Sequence, residues 1–188
     1  MEHFYQNTVG ESWFDFQDFY SWIVKQYDSG AHFIEVGVWK GRSACYMAVE
    51  IINSNKNIKF DCIDTWIINT DPVIANEFKC YEPLSIYDIF EKNIEPVKHI
   101  INPIKALSYN APDMYEDNSI DFVFIDASHD YESVKKDIVA WYPKVKQNGI
   151  ISGHDYFNEW CGVKKAVDET FNNVQFNGHC WLVRKENC

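Results

Sequence analysis

Four short apolar runs in this chain each close on an acid or a glycine. They are His32–Gly37 (HFIEVG), Ile58–Asp64 (IKFDCID), Ile120–Asp126 (IDFVFID) and Ile150–Gly153, the last followed by His154 and Asp155. His99–Ile104 reads as one more strand of the same kind. Apolar runs of this length are buried strands, and stretches with helical spacing lie between them. Arg42–Ile52 carries Ala44, Ala48, Ile51 and Ile52; Ser85–Ile94 runs up to Pro96; Tyr131–Val145 sets Val134, Ile138, Trp141 and Val145 on one stripe. Gly162–Phe171 is a further helix, and Val174–Phe176 with Cys180–Arg184 reads as a closing hairpin. Strands alternating with helices require a parallel sheet covered on both faces, joined by right-handed crossovers. The expected fold is α/β: a doubly wound, mostly parallel sheet of about seven strands, with an antiparallel edge hairpin at the C-terminus.

The rest of the chain fits around that sheet. Ser12–Tyr27 mixes i+3 and i+4 aromatic spacings and reads as an amphipathic helix stopped by Ser29-Gly30, so residues 1–30 form a helical cover. Ser108–Tyr115 reads as a short helix despite Pro112. The irregular stretch 65–83 is long for a compact domain, which marks a lid or acceptor loop. The 188 residues suit one domain, 1–188. A net charge of -11 argues against nucleic acid or an anionic membrane as partner. The opening residues Met1–Asn7 have neither a basic n-region nor an apolar h-region, so no signal peptide is expected; with no apolar run long enough to span a bilayer, the expected location is the cytoplasm. The six cysteines, Cys45, Cys62, Cys80, Cys161, Cys180 and Cys188, form no C-x-x-C pair and read as free thiols.

The chemistry concentrates at strand ends, where ligands bind in open α/β sheets. Glu35-Val-Gly37-Val-Trp-Lys-Gly41-Arg-Ser43 makes the first strand-to-helix turn. Gly37 permits a tight turn and Gly41 lets a helix N-terminus sit close to a ligand. Its Gly-x-x-x-Gly spacing is not the Gly-x-Gly-x-x-Gly of a dinucleotide site. Asp126 ends one strand with His129 three residues on, an acid and a base at one edge. His154 and Asp155 end the next strand, and paired carboxylates suit Mg²⁺, while an imidazole among them suits zinc, manganese or nickel. His32, His99 and His179 read as structural.

The order of five motifs resembles that of class I S-adenosylmethionine-dependent methyltransferases, and more narrowly the macrocin-type sugar O-methyltransferases. These are Trp13-Phe-Asp-Phe-Gln-Asp-Phe-Tyr20, Phe33–Ser43, Cys62-Ile-Asp-Thr-Trp66, Ile120–Tyr131 and Gly149-Ile-Ile-Ser-Gly-His-Asp-Tyr156. The resemblance implies a Rossmann-like fold and S-adenosyl-L-methionine as cofactor. It implies cofactor contacts at Glu35, Gly37, Gly41, Ser43, Asp64, Thr65, Ser108 and Asp126, with Asp64 on the ribose and Ser108 at the adenine or capping a helix. It further implies a divalent metal, Mg²⁺ or Mn²⁺, on Asp126, His154 and Asp155, and His129 and Asp126 as the catalytic pair, with His129 the general base. The acceptor it implies is a hydroxyl of a sugar or glycan, with a homo-oligomer or a glycosyltransferase as possible companion. The rival readings are a non-catalytic cofactor-binding module and, on the glycine spacing less well supported, a nicotinamide-dependent oxidoreductase.

Overall fold

In the computed structural model the described residues are 1–9, 13–67 and 85–186. Helix α1 (Gln17–Gln26) precedes strand β1 (His32–Val36), followed by α2 (Arg42–Ser54), β2 (Lys59–Asp64), α3 (Ile86–Ile94), β3 (Ile101–Lys105) and β4 (Ile120–Ile125). Then come α4 (Tyr131–Trp141), β5 (Val145–Gly153), α5 (Cys161–Asp168), β6 (Gln175–Asn177) and β7 (Cys180–Arg184). The sheet runs β3-β2-β1-β4-β5-β7-β6. β1 to β5 pair in parallel, and β7 is antiparallel to both β5 and β6. The expected Rossmann-like architecture is therefore the observed one.

Strand side chains alternate between two cores, as the pleat demands. Phe122 and Phe124 pack with Phe19, Tyr20 and Met47 on the layer of α1 and α2. Val123 and Ile125 pack with Ile138, Trp141 and Val167 on the layer of α4 and α5. The connection order reverses between β1 and β4, which creates a crevice at their carboxyl ends. No described helix is long and apolar enough to cross a membrane. Cys45, Cys62, Cys161 and Cys180 are free thiols, as expected.

Three local expectations need correction. The first helix begins at Gln17, not at position 12. Phe14 and Phe16 are both buried, and a helix would turn two such residues about 200° apart, whereas an extended segment puts them on one side. The helix that opens at Tyr131 stops at Trp141, because Pro143 in its continuation lacks an amide donor and clashes with the preceding turn. Chain that read as helix up to Val145 is a 3-10 turn, and β5 starts at Val145 rather than Ile150. In place of a helix over Ser108–Tyr115 there is a 3-10 turn at Ala111–Met114 with Pro112 in its first turn. Most of the proposed lid over 65–83, from residue 68 on, lies outside the described residues, as do Cys80 and Cys188.

Candidate active site

The carboxyl ends of β1, β2, β4 and β5 carry the side chains singled out above. β1 delivers Glu35, which is 1% exposed, and the first turn of α2 brings Ser43 to donate its hydroxyl to Glu35 Oε1. Glu35 Oε2 is buried without a hydrogen-bond partner. The Tyr20 hydroxyl lies beside it, close enough for each to shift the other's titration, yet it too makes no hydrogen bond of good geometry. Burial drives the Glu35 pKa up to about 8, against the opposing Ser43 hydrogen bond.

Gly37 follows at φ +85°. A Cβ there would sit 2.1 Å from the carbonyl oxygen of Asp126. Its lack of a side chain thus serves the contact between two strand ends, as well as the turn. At Gly41 a Cβ would lie 2.8 Å from the Phe90 ring, so the start of α2 packs against α3. Asp64, at the end of β2, accepts amide hydrogens from Val38 (3.0 Å), Trp39 (2.8 Å) and Trp66 (2.8 Å). It fastens the β1–α2 turn to β2. Thr65 Oγ1 accepts from the Ile67 amide at 3.3 Å. Ser108 caps no helix: Asn110 stands before the 3-10 turn, and the Ser108 carbonyl accepts from Trp141 Nε1 at 3.0 Å.

At β4 and β5 the expected acid–base group is assembled. His129 Nε2 lies 2.7 Å from Asp155 Oδ2 and 3.8 Å from Asp126 Oδ1. His129 does not cap α4; Asp130 does, by accepting from the Ser133 amide at 3.0 Å. Burial lowers the His129 pKa, but the Asp155 hydrogen bond and the two carboxylate charges outweigh it and raise it to about 10. Burial likewise raises the Asp155 pKa, and His129 and His154 override it and hold the carboxyl well below the usual range. Asp155 adopts φ +60°, a left-handed conformation that Asp tolerates better than most residues and that is found where a site over-determines the backbone. The ligand atoms of Asp126, His154 and Asp155 lie within 4.8 Å of one another.

Three residues here have neighbours that no single motif reveals. Asp15 Oδ1 lies 2.8 Å from His154 Nε2, and Asp15 Oδ2 lies 2.9 Å from His179 Nδ1. Asp15 sits between the buried Phe14 and Phe16 and so faces away from the core. His179, read as structural and without acidic partners, reaches the site because β7 pairs antiparallel with β5 in a register that sets Trp181 opposite Gly153. Only the strand pairing could have revealed that proximity. The ring of Trp160, 43% exposed, lies 4.5 Å from that of His129.

The methyltransferase domain profile matches residues 34–156, which holds every strand end described above. No curated protein matches. Among solved structures, the O-methyltransferase NovP has a TM-score of 0.68 at 13% identity, over 91% of this chain and 79% of its own. CalS11, described as a TDP-rhamnose 3'-O-methyltransferase of calicheamicin biosynthesis, has a TM-score of 0.59 at 15% identity, over 89% of this chain and 76% of its own. MycE, a methyltransferase of the mycinamycin pathway solved with Mg, SAH and mycinamycin VI, has a TM-score of 0.58 at 15% identity, over 91% of this chain and 49% of its own. At these identities the structural likeness shows a shared fold, and the profile match supplies the family. The chain belongs to the methyltransferase domain family and is an S-adenosylmethionine-dependent methyltransferase.

Proposed function

We propose that the chain transfers the methyl group to a hydroxyl of a sugar or glycan. One observation carries this: two carboxylates and an imidazole, Asp126, Asp155 and His129, converge beside the turn that Glu35, Gly37 and Asp64 build. A sulfonium methyl is already activated, so the protein needs chiefly to align it and to take a proton from the acceptor. The acceptor oxygen forms the new C–O bond, the S–CH₃ electron pair returns to sulfur, and the hydroxyl proton passes to the imidazole of His129. Glu35, with an orphaned oxygen, suits a cationic group of the cofactor. Asp64 suits ribose hydroxyls, and the segment around Ser108 suits the adenine. Exposed Trp160 beside His129 offers an apolar face to an acceptor ring.

The donor set fits a divalent cation: Asp126, Asp155 and His154 would hold it. Such a cation lowers the pKa of a bound hydroxyl. His129 holds its proton up to about pH 10 through the two carboxylates. With their charge compensated by a cation, the His129 imidazole would be neutral and able to act as base. NovP, CalS11 and MycE, the last with Mg and SAH, favour this reading over the non-catalytic module.

The test is incubation with S-adenosylmethionine and a panel of nucleotide sugars, glycosides and phenols, with Mg²⁺ or Mn²⁺ supplied. S-adenosylhomocysteine formation should depend on a sugar hydroxyl and fall at least 100-fold in both Asp126→Ala and His129→Ala. Undiminished turnover in both variants refutes the assigned roles, and methylation of nitrogen alone refutes the acceptor class.

A further inference from the structure

We propose that Asp15 is a positioning residue that fixes the tautomer of His154, so that Nδ1 faces the Asp126–Asp155 centre and a first-row transition cation is taken there in preference to Mg²⁺. This rests on the metal reading above and adds residues that lie outside the motifs around the two carboxylates.

His154 is held on both edges. Its Nε2 lies 2.8 Å from Asp15 Oδ1, and its Nδ1 lies 3.4 Å from Asp155 Oδ1. Both nitrogens face carboxylates, which only accept hydrogen bonds, but the Asp15 contact at 2.8 Å is at full hydrogen-bonding distance and the Asp155 contact at 3.4 Å is longer, so a single hydrogen sits on the nitrogen against Asp15. In the neutral ring this leaves the Nδ1 lone pair pointing to the side of Asp155. The ring has little freedom to turn over: His154 is 7% exposed, and the Phe16 ring packs 4.8 Å from it. Asp15 is anchored in turn, since His179 Nδ1 bonds its other oxygen at 2.9 Å. The chain assembles this relay from three remote places: the extended segment before α1, the end of β5 and the turn before β7.

A carboxylate on the far nitrogen of a ligating imidazole sets its tautomer, orients the ring and raises its basicity, and removing such a partner costs 10–100-fold in metal affinity. Mg²⁺ prefers oxygen ligands and retained waters, whereas first-row transition ions accept imidazole more readily, Mn²⁺ least and Zn²⁺ more strongly. A site of two carboxylates and one oriented imidazole therefore discriminates by ligand type.

Titration calorimetry on the full chain, with Mn²⁺, Zn²⁺ and Mg²⁺ as separate probes and S-adenosylhomocysteine binding measured on the same samples, tests this. The wild-type protein should bind Mn²⁺ or Zn²⁺ at least 10-fold more tightly than Mg²⁺. Asp15→Ala should weaken Mn²⁺ binding by about 10–100-fold without changing S-adenosylhomocysteine affinity. His179→Ala, which frees only one oxygen of Asp15, should cost a few-fold, and His154→Asp should abolish the preference over Mg²⁺. Nitrogen-15 NMR of the Zn²⁺-loaded protein should show His154 protonated at Nε2. Should Asp15→Ala fold poorly, Asp15→Asn serves the same comparison.

Equal Mn²⁺ affinity in wild type and Asp15→Ala, or a proton on Nδ1, overturns the proposal. So does binding lost in Asp15→Ala and His179→Ala but kept in Asp126→Ala, which would put the ion between Asp15, His154 and His179. Absence of cation binding overturns both this and the metal reading, while S-adenosylhomocysteine binding reports separately on the transferase.

Discussion

Glu35→Gln should make the protein more stable at neutral pH and a poorer binder of its cofactor. Glu35 is 1% exposed, has one oxygen without a partner and holds its proton up to about pH 8. An unfolded carboxyl of this type titrates near 4.5. The folded pKa is the higher one, so the folded state favours the protonated form. The resulting stability is fully present below about pH 4.5 and is lost as pH rises towards 8. At pH 7 the gap from 4.5 corresponds to about 3 kcal/mol, at about 1.36 kcal/mol per unit. Glutamine has nearly the same shape, keeps an acceptor for Ser43 and carries no charge, so it removes that cost. Urea unfolding should show Glu35→Gln stabilised by up to about 3 kcal/mol at pH 7, with the gain shrinking to a few tenths near pH 4.5. Cofactor-product binding by calorimetry should weaken at least 10-fold in the same variant, because the cation's counter-charge is gone. A variant destabilised at pH 7, or stabilised equally at both pH values, would refute the reasoning about the buried charge. Unchanged cofactor affinity would refute its assignment to the cofactor.

Gly37→Ala combines a left-handed φ with a Cβ 2.1 Å from the Asp126 carbonyl, so it should cost more than about 2 kcal/mol in urea unfolding and displace Asp126 enough to abolish turnover; a near-native stability with normal kinetics contradicts the close approach of β1 and β4. Asp61 is 1% exposed and binds His32 Nε2 (2.8 Å), Asn102 (2.9 Å) and Tyr115 (3.0 Å). Burial raises its pKa, but these partners override it and take it down to about 2. The stability it supplies is present above about pH 4 and lost as pH falls towards 2, so Asp61→Asn should cost about 2 kcal/mol at pH 7, roughly half of that at pH 3 and a few tenths at pH 2. A pH-independent effect measured by chemical denaturation would contradict this.

The strands were legible because each is an apolar run closed by a charged residue or glycine, and the pleat turns that pattern into two cores. The helix ends were less so. Pro143 cut short a stripe whose periodicity ran on to Val145, and Phe14 and Phe16 made an extended segment out of residues whose aromatic content resembled helix. Side-chain pairs within one strand end, such as Asp126 with His129, follow from sequence spacing alone. Asp15 with His154 and His179 does not, since separations of 139 and 164 residues close only through tertiary packing. The same limit hides the reason for Gly37. Its neighbour is the backbone of β4, and no local pattern records which strand will lie alongside.

The two ends of the sheet differ in how completely their polar groups are satisfied, and that difference supports the proposed working edge independently of any relative. Towards the amino ends, Asp61 is tied to His32, Asn102 and Tyr115, while the Asp121 carboxylate accepts the His32 amide at 2.8 Å and pairs with Lys146 at 2.7 Å. Those groups close the strands together and leave no need for a ligand. At the carboxyl ends Glu35 keeps an oxygen without a partner, Asp155 bends into a left-handed conformation, and Asp126 and Asp155 crowd their charges around one imidazole. The orphaned oxygen and the left-handed backbone each oppose folding, and folds keep such features where function requires them. The apolar layers offset the cost: Phe33, Phe60, Phe122 and Phe124 are all at most 1% exposed beneath the site. A cation between the carboxylates and a positively charged cofactor beside Glu35 would each relieve one of the local imbalances. Ligand binding at this edge should therefore raise the unfolding midpoint more than a neutral ligand of the same size would, and raise it further at pH 8 than at pH 6, where Glu35 is already protonated.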